Sequence, residues 1–186
     1  MRLVSLIPAI LALFFANVAC AQEWDEYVNR ENFFTVNFPG EPTMQQIPYA
    51  TAKGTKLTAR VFTAKADPTS ILAGTYSMTV VDYASAPTEL GTAIEEAAKV
   101  ARARGTPKYD EPGNVDRIKT QRMTVETADK RRILSEILVH GTRLYIVQAD
   151  TAMNVPPPAQ FQASVQILDE NGTRIRYNAD GVTRQR

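Results

Sequence analysis

Apolar and polar positions alternate with a period of two through much of the first half of the chain. Phe34, Val36 and Phe38 alternate with Thr35 and Asn37, and Pro39-Gly40 closes the segment; this is the pattern of a strand with one buried face. Residues 43–50 form a weaker extended segment, which Pro48 assigns to a sheet edge. Ala52-Lys53-Gly54 reads as a hairpin turn into a half-buried strand carrying Leu57, Ala59 and Val61. After Asp67-Pro68, the segment from Thr75 to Tyr83 is rich in β-branched and aromatic residues, with Tyr76, Met78 and Val80 on one face.

The period then changes to that of a helix. Leu90, Ile94, Ala97 and Ala101 recur at helical spacing within Thr88–Arg104, with Glu95, Glu96, Lys99 and Arg102 facing away. Thr88 is placed as the N-cap, and Gly105 and Pro107 as the stop. The inner stripe is mostly alanine, which lets the helix lie close to a sheet. Asp110, Glu111, Pro112 and Gly113 read as a loop. Strands follow at Ile118–Glu126 and Arg132–Val139, separated by Thr127–Lys130, and His140-Gly141 turns the chain into a strand from Arg143 to Ala149. Leu144-Tyr145-Ile146-Val147 is apolar without alternation, as in a central strand covered on both faces. Pro156-Pro157-Pro158 starts a last helix with Phe161, Val165 and Leu168 inside, and Asp169-Glu170-Asn171-Gly172 ends it.

Two groups of strands with one helix between and one after predict an α+β fold, an antiparallel β-sheet flanked by helices. The run Phe33-Phe-Thr-Val-Asn-Phe-Pro-Gly-Glu-Pro42, the Ala-rich helix, Gly141-Thr-Arg-Leu-Tyr-Ile-Val147 and Phe161-Gln-Ala-Ser164 together resemble small secreted bacterial proteins of the PsbP/Mog type. The resemblance covers most of the chain beyond residue 21. It implies an α-β-α sandwich, and an accessory or binding role. It carries over no catalytic residue.

The N-terminus changes the picture of where this domain works. Met1-Arg2, an apolar run from Leu3 to Ala16 and Ala19-Cys20-Ala21 have the layout of a secretory signal. The run is shorter than the roughly 20 residues that span a bilayer. Residues 1–21 are therefore expected to be a signal peptide and residues 22–186 a single α+β domain with a loosely held C-terminal tail, located in the periplasm or secreted. Cys20 offers a possible lipid anchor, although Asn17 stands where a lipoprotein signal usually has an aliphatic residue. Cleavage after Ala21 removes the one cysteine of the chain. Without Arg2, basic and acidic residues balance, which argues against nucleic acid as a partner. Arg174, Arg176, Arg184 and Arg186 form a basic tail that reads as a solvated end.

The residues with reactive chemistry are scattered. His140 is the one histidine, so no His-rich metal site forms. Its place beside Gly141 reads as a hairpin position rather than the base of a triad with Ser135 or Ser164, since no Gly-x-Ser-x-Gly turn presents a nucleophile. Asp169-x-Asn171-Gly172 lacks the further ligands of a calcium loop. Asp110, Glu111 and Asp116, like Glu95-Glu96, read as solvated surface rather than a glycosidase pair, and Lys130-Arg131-Arg132 as a solvated turn. No catalytic, cofactor-binding or metal-binding residue is singled out, and no cofactor is expected. The expectation is an exported non-enzymatic accessory protein of the bacterial periplasm or envelope, binding an unidentified protein or small-molecule ligand. The alternative is an envelope hydrolase whose active site is assembled from dispersed residues.

Overall fold

The structure, a computed structural model, describes residues 24–176. The signal peptide expected at residues 1–21, with Cys20, and the tail end with Arg184 and Arg186 lie outside the described residues. Ten strands run through the described chain: β1 (Asp25–Asn29), β2 (Phe34–Phe38), β3 (Thr43–Ala50), β4 (Lys56–Lys65), β5 (Gly74–Asp82), β6 (Thr106–Val115), β7 (Ile118–Glu126), β8 (Arg131–His140), β9 (Arg143–Ala152) and β10 (Gln166–Ile167). A 3-10 turn (Pro87–Thr92) leads into α1 (Ala93–Arg102), and α2 (Ala159–Ala163) precedes β10.

Seven strands form one antiparallel sheet in the order β3-β4-β5-β9-β8-β7-β6. Its two faces bury different chemistry. On one face Phe62, Tyr76, Met78, Leu138, Tyr145 and Val147 pack against a small sheet of order β1-β2-β10 and against α2. Phe34, Val36 and Phe38 of β2 are fully buried there, so the alternation of residues 34–38 supplies one wall of this core. The Tyr145 hydroxyl donates to the Asn32 carbonyl at 3.1 Å and ties the two sheets together. On the other face Ala59, Val81, Met123, Ile133, Ile137 and Leu144 meet Ala93, Ala97, Ala98 and Ala101 of α1. Alanines here bring the helix axis close to the sheet and leave little for its outer face to bury.

The fold class expected from sequence is corrected by this arrangement. The molecule is predominantly β, and the α+β reading of an antiparallel sheet flanked by helices, with the α-β-α sandwich implied by the resemblance, does not hold. One face is covered by α1, but the other is covered by a three-stranded sheet with a single five-residue helical turn. The physical reasons lie in three segments. The last helix stops at Ala163, because the Ser164 hydroxyl donates to the Phe161 carbonyl at 2.8 Å and accepts the Asn37 N–H at 3.0 Å; the residues beyond it then extend as β10 against β2. The supposed loop at residues 110–113 lies within β6, paired along β7. The helix at residues 88–104 is shorter than its pattern. Its first turn is 3-10, Thr88 makes no cap, and the N-cap Thr92 makes no side-chain cap bond either. Gly105 follows for a packing reason rather than a left-handed turn, since a Cβ there would sit 2.2 Å from the Glu126 carbonyl oxygen. Among the described residues, no helix is long and apolar enough to cross a membrane.

Candidate functional site

At the end of the large sheet where β4 leaves and β9 finishes, the aromatic core opens to solvent. The opening is a cleft of about 340 Å³, within the range of small-molecule sites. Trp24, Leu72, Pro157, Pro158 and Phe161 form its apolar wall, and Asn37 and Gln160 contribute amides. No ionisable side chain lines it.

Each wall is held by a specific contact. The Trp24 ring stands edge-on to Tyr76 with centroids 4.8 Å apart and lies 6.0 Å from Phe161, while Tyr76 and Phe161 are themselves edge-on at 5.0 Å. Such edge-to-face pairs add to simple area burial. The Tyr76 hydroxyl donates to the Leu72 carbonyl at 2.5 Å, fixing the loop wall, and burial pushes this phenol up to about 12. Pro156, Pro157 and Pro158 set the entry to α2. The Gln162 amide donates to the Ser135 carbonyl at 2.6 Å, so α2 is fastened to β8 and Phe161 is aimed at the core. The cleft is therefore a preformed aromatic slot.

Of the reactive residues read from the sequence only Ser164 lies beside this cleft, and only Glu95 and Asp110 are brought together, through the Arg102 guanidinium. His140 ends β8 at the opposite end of the sheet, paired with Arg143 across a hairpin in which Gly141 takes a φ of +57°. The imidazole is half-buried, and burial pushes its pKa down. Ser135 lies five residues away along the same strand, roughly 16 Å at the rise of a strand, and Ser164 lies by the cleft with its hydroxyl engaged as described. Asp110 faces α1, where Arg102 Nε donates at 2.5 Å and Gln121 at 2.5 Å. The guanidinium holds its carboxyl below the ordinary carboxylate range. Glu111 points from the next position of the strand to the other face, and Asp116 sits in the β6–β7 turn with a φ of +46°. Glu95 pairs with Arg102 at 2.6 Å, and Glu96 accepts from Thr92 and from the Ala52 N–H. Arg131 pairs with Asp150 at 2.6 Å, and Arg132 donates to the Val155 carbonyl at 3.1 Å. Asp169 closes its own turn through the N–H groups of Asn171 and Thr173. Arg174 of the basic tail pairs with Glu26. Among the described residues no group of three His, Cys, Asp or Glu side chains converges as a metal site.

Known families and curated proteins were compared with this chain. Neither gives a match. The site therefore has to be read from its own chemistry.

Two features escaped the sequence reading. The cleft combines Trp24 with a proline run more than a hundred residues away, and only the lone tryptophan beside the expected processing site hinted at it. The second is Glu136, whose side chain has no exposed surface and pairs with Arg122 at 2.6 Å. A carboxylate inside Ile133-Leu-Ser-Glu-Ile-Leu138 was the available signal, because a charge in an apolar strand has to be partnered.

Proposed function

We propose that this protein is an exported, non-catalytic binding module of the bacterial periplasm or envelope, with its ligand held in the cleft between Trp24 and Phe161. The observation that supports this reading is the wall itself: rings and prolines around about 340 Å³, with no ionisable side chain. Such a wall supplies contact area and two amides, and no group placed to move a proton or attack a substrate. It suits an uncharged ligand with a flat or cyclic apolar body and one polar group within reach of Asn37 or Gln160. A free small molecule or a side chain of a partner protein meets that description. Export rests on the charge, apolar run and cleavage pattern of residues 1–21.

Trp24 is the one tryptophan of the chain, so its fluorescence reads the cleft directly. Titration with neutral heteroaromatic and cyclic-amide fragments is expected to change the emission saturably, and Leu72→Asp, which puts a charge in the wall, to abolish the change while the fold is kept. A panel without any saturable response, or a response unchanged in Leu72→Asp, overturns the assignment.

A further inference from the structure

The other end of the large sheet carries a second concavity, of about 470 Å³. Its sides are the 3-10 turn with the start of α1 and the tips of the β6–β7 and β8–β9 hairpins. Its floor is apolar, formed by Leu90, Ile94 and Val139, while Ile118 borders it with a side chain turned into the core on the opposite face of the sheet. Its rim is basic, formed by Arg117 and Lys119, and no acidic side chain lines it. Six arginines elsewhere, Arg60, Arg102, Arg104, Arg122, Arg131 and Arg143, are each in an ion pair. Among the described residues no ion pair forms at Arg117 or Lys119.

The backbone beneath the rim is strained. Asp116 and Arg117 are the two central residues of a tight hairpin, with φ of +46° and +67°. Asn-Gly or Asp-Gly is the low-energy choice for such a turn, and an arginine at its second position costs about 1 kcal/mol. An arginine thus lines the concavity at a position where glycine would relax the chain.

We propose that this concavity is a binding site for a free amphiphilic monocarboxylate, its hydrocarbon chain on Leu90, Ile94 and Val139 and its carboxylate between Arg117 and Lys119. The floor is partly buried, and none of its three residues is among the exposed large apolar side chains. It is therefore shaped to receive a chain rather than to insert into a bilayer. The site is separate from the tryptophan cleft and does not depend on its occupant.

The test is calorimetric titration of the full processed protein with octanoate at low ionic strength, beside octanol and acetate. Methyl shifts of the floor residues are read in the same samples. Octanoate is expected to bind at least about tenfold more tightly than either control, since a charge-assisted pair and apolar burial must act together. Arg117→Gln with Lys119→Gln is expected to lower octanoate affinity by about tenfold or more, with the melting temperature kept, because both side chains are solvent-facing. Octanol binding as well as octanoate, the double variant binding like the parent, no heat with octanoate at all, or shifts confined to the Trp24 cleft would each overturn the proposal.

Discussion

Glu136 sits in the middle of β8 with Val147 beside it on β9 and Arg122 on β7. One of its oxygens takes the Arg122 bond, while Oε1 has no hydrogen-bond partner, and the nearby Thr120 hydroxyl has none either. Arg122 itself is 40% exposed, so the guanidinium keeps its water while the carboxylate has lost it. Removing such a partner leaves an uncompensated charge, whereas replacing both members by apolar groups removes the problem. Arg122→Met is therefore expected to cost about 3–5 kcal/mol in urea denaturation. The double variant Arg122→Met, Glu136→Met is expected to recover most of that loss; failure to recover would show that the arginine stem, not the charge, carries the contact. His140 gives a second test at this scale. Its folded pKa lies below 6.5 because half-burial disfavours the imidazolium. Above pH 6.5 both folded and unfolded states hold it neutral. As the pH falls through that value the unfolded chain takes up its proton first, so stability declines toward the folded pKa. His140→Gln is expected to flatten the stability profile just below pH 6.5, and an unchanged slope there would remove the histidine from the account.

At the scale of elements, strands whose two faces differ were legible, and of the two edge strands of the large sheet β3 was legible through Pro48 while β6 was not. Alternation marked residues 34–38, 57–61 and 75–83, because one face is the more apolar along these stretches, although β4 and β5 bury residues on both faces of the sheet. The unbroken apolar run at Leu144–Val147 likewise marked the strand with both faces covered. β6 was read as a loop because Pro107, Asp110, Pro112 and Gly113 are turn residues in most settings. At the edge of a sheet the same prolines and charges block further pairing, and the register shift between Pro107 and Tyr109 adds a bulge. α2 was read as too long because Phe161, Val165 and Leu168 fit a helical stripe. They also fit a short helical turn followed by a strand, and only the Ser164 hydroxyl bonds decide between the two. The β6–β7 turn shows what sequence pattern conceals, since nothing in Asp116-Arg117 announces two left-handed residues. Arg117→Gly is expected to stabilise the protein by about 1 kcal/mol, through relief of that turn. The same change is expected to weaken octanoate binding. A stabilised variant that binds octanoate normally would separate the strain from the site.

For the whole molecule, the large sheet leaves two edges, and the chain manages them differently. The β6 edge carries charges, prolines and a bulge. The β3 edge has eight residues without a charge, and exposes Met44 and Ile47 at 50% and 43%. The hydrogen-bond parity shows what protects it. The Thr51 N–H donates to the Thr55 carbonyl at 3.0 Å, and on the far side of β4 the Ala66 N–H donates to the Gly74 carbonyl at 3.0 Å. Odd-numbered residues of β3 therefore bond β4, and Met44, Gln46, Pro48 and Ala50 turn their backbone outward. Pro48 has no N–H to offer, so the free edge lacks a donor in its second half where another strand would add. Pro48→Thr restores that donor on an uncharged, partly apolar edge. It is expected to give concentration-dependent self-association in sedimentation velocity at roughly 0.1–1 mM, where the parent stays monomeric. Pro48→Lys restores the donor but adds a charge that opposes its own copy across a two-fold, and is expected to sediment like the parent. Association by both variants would mean that the proline itself protects the edge and that one added charge does not. Association by neither would mean that the twist of β3 already keeps a second strand away.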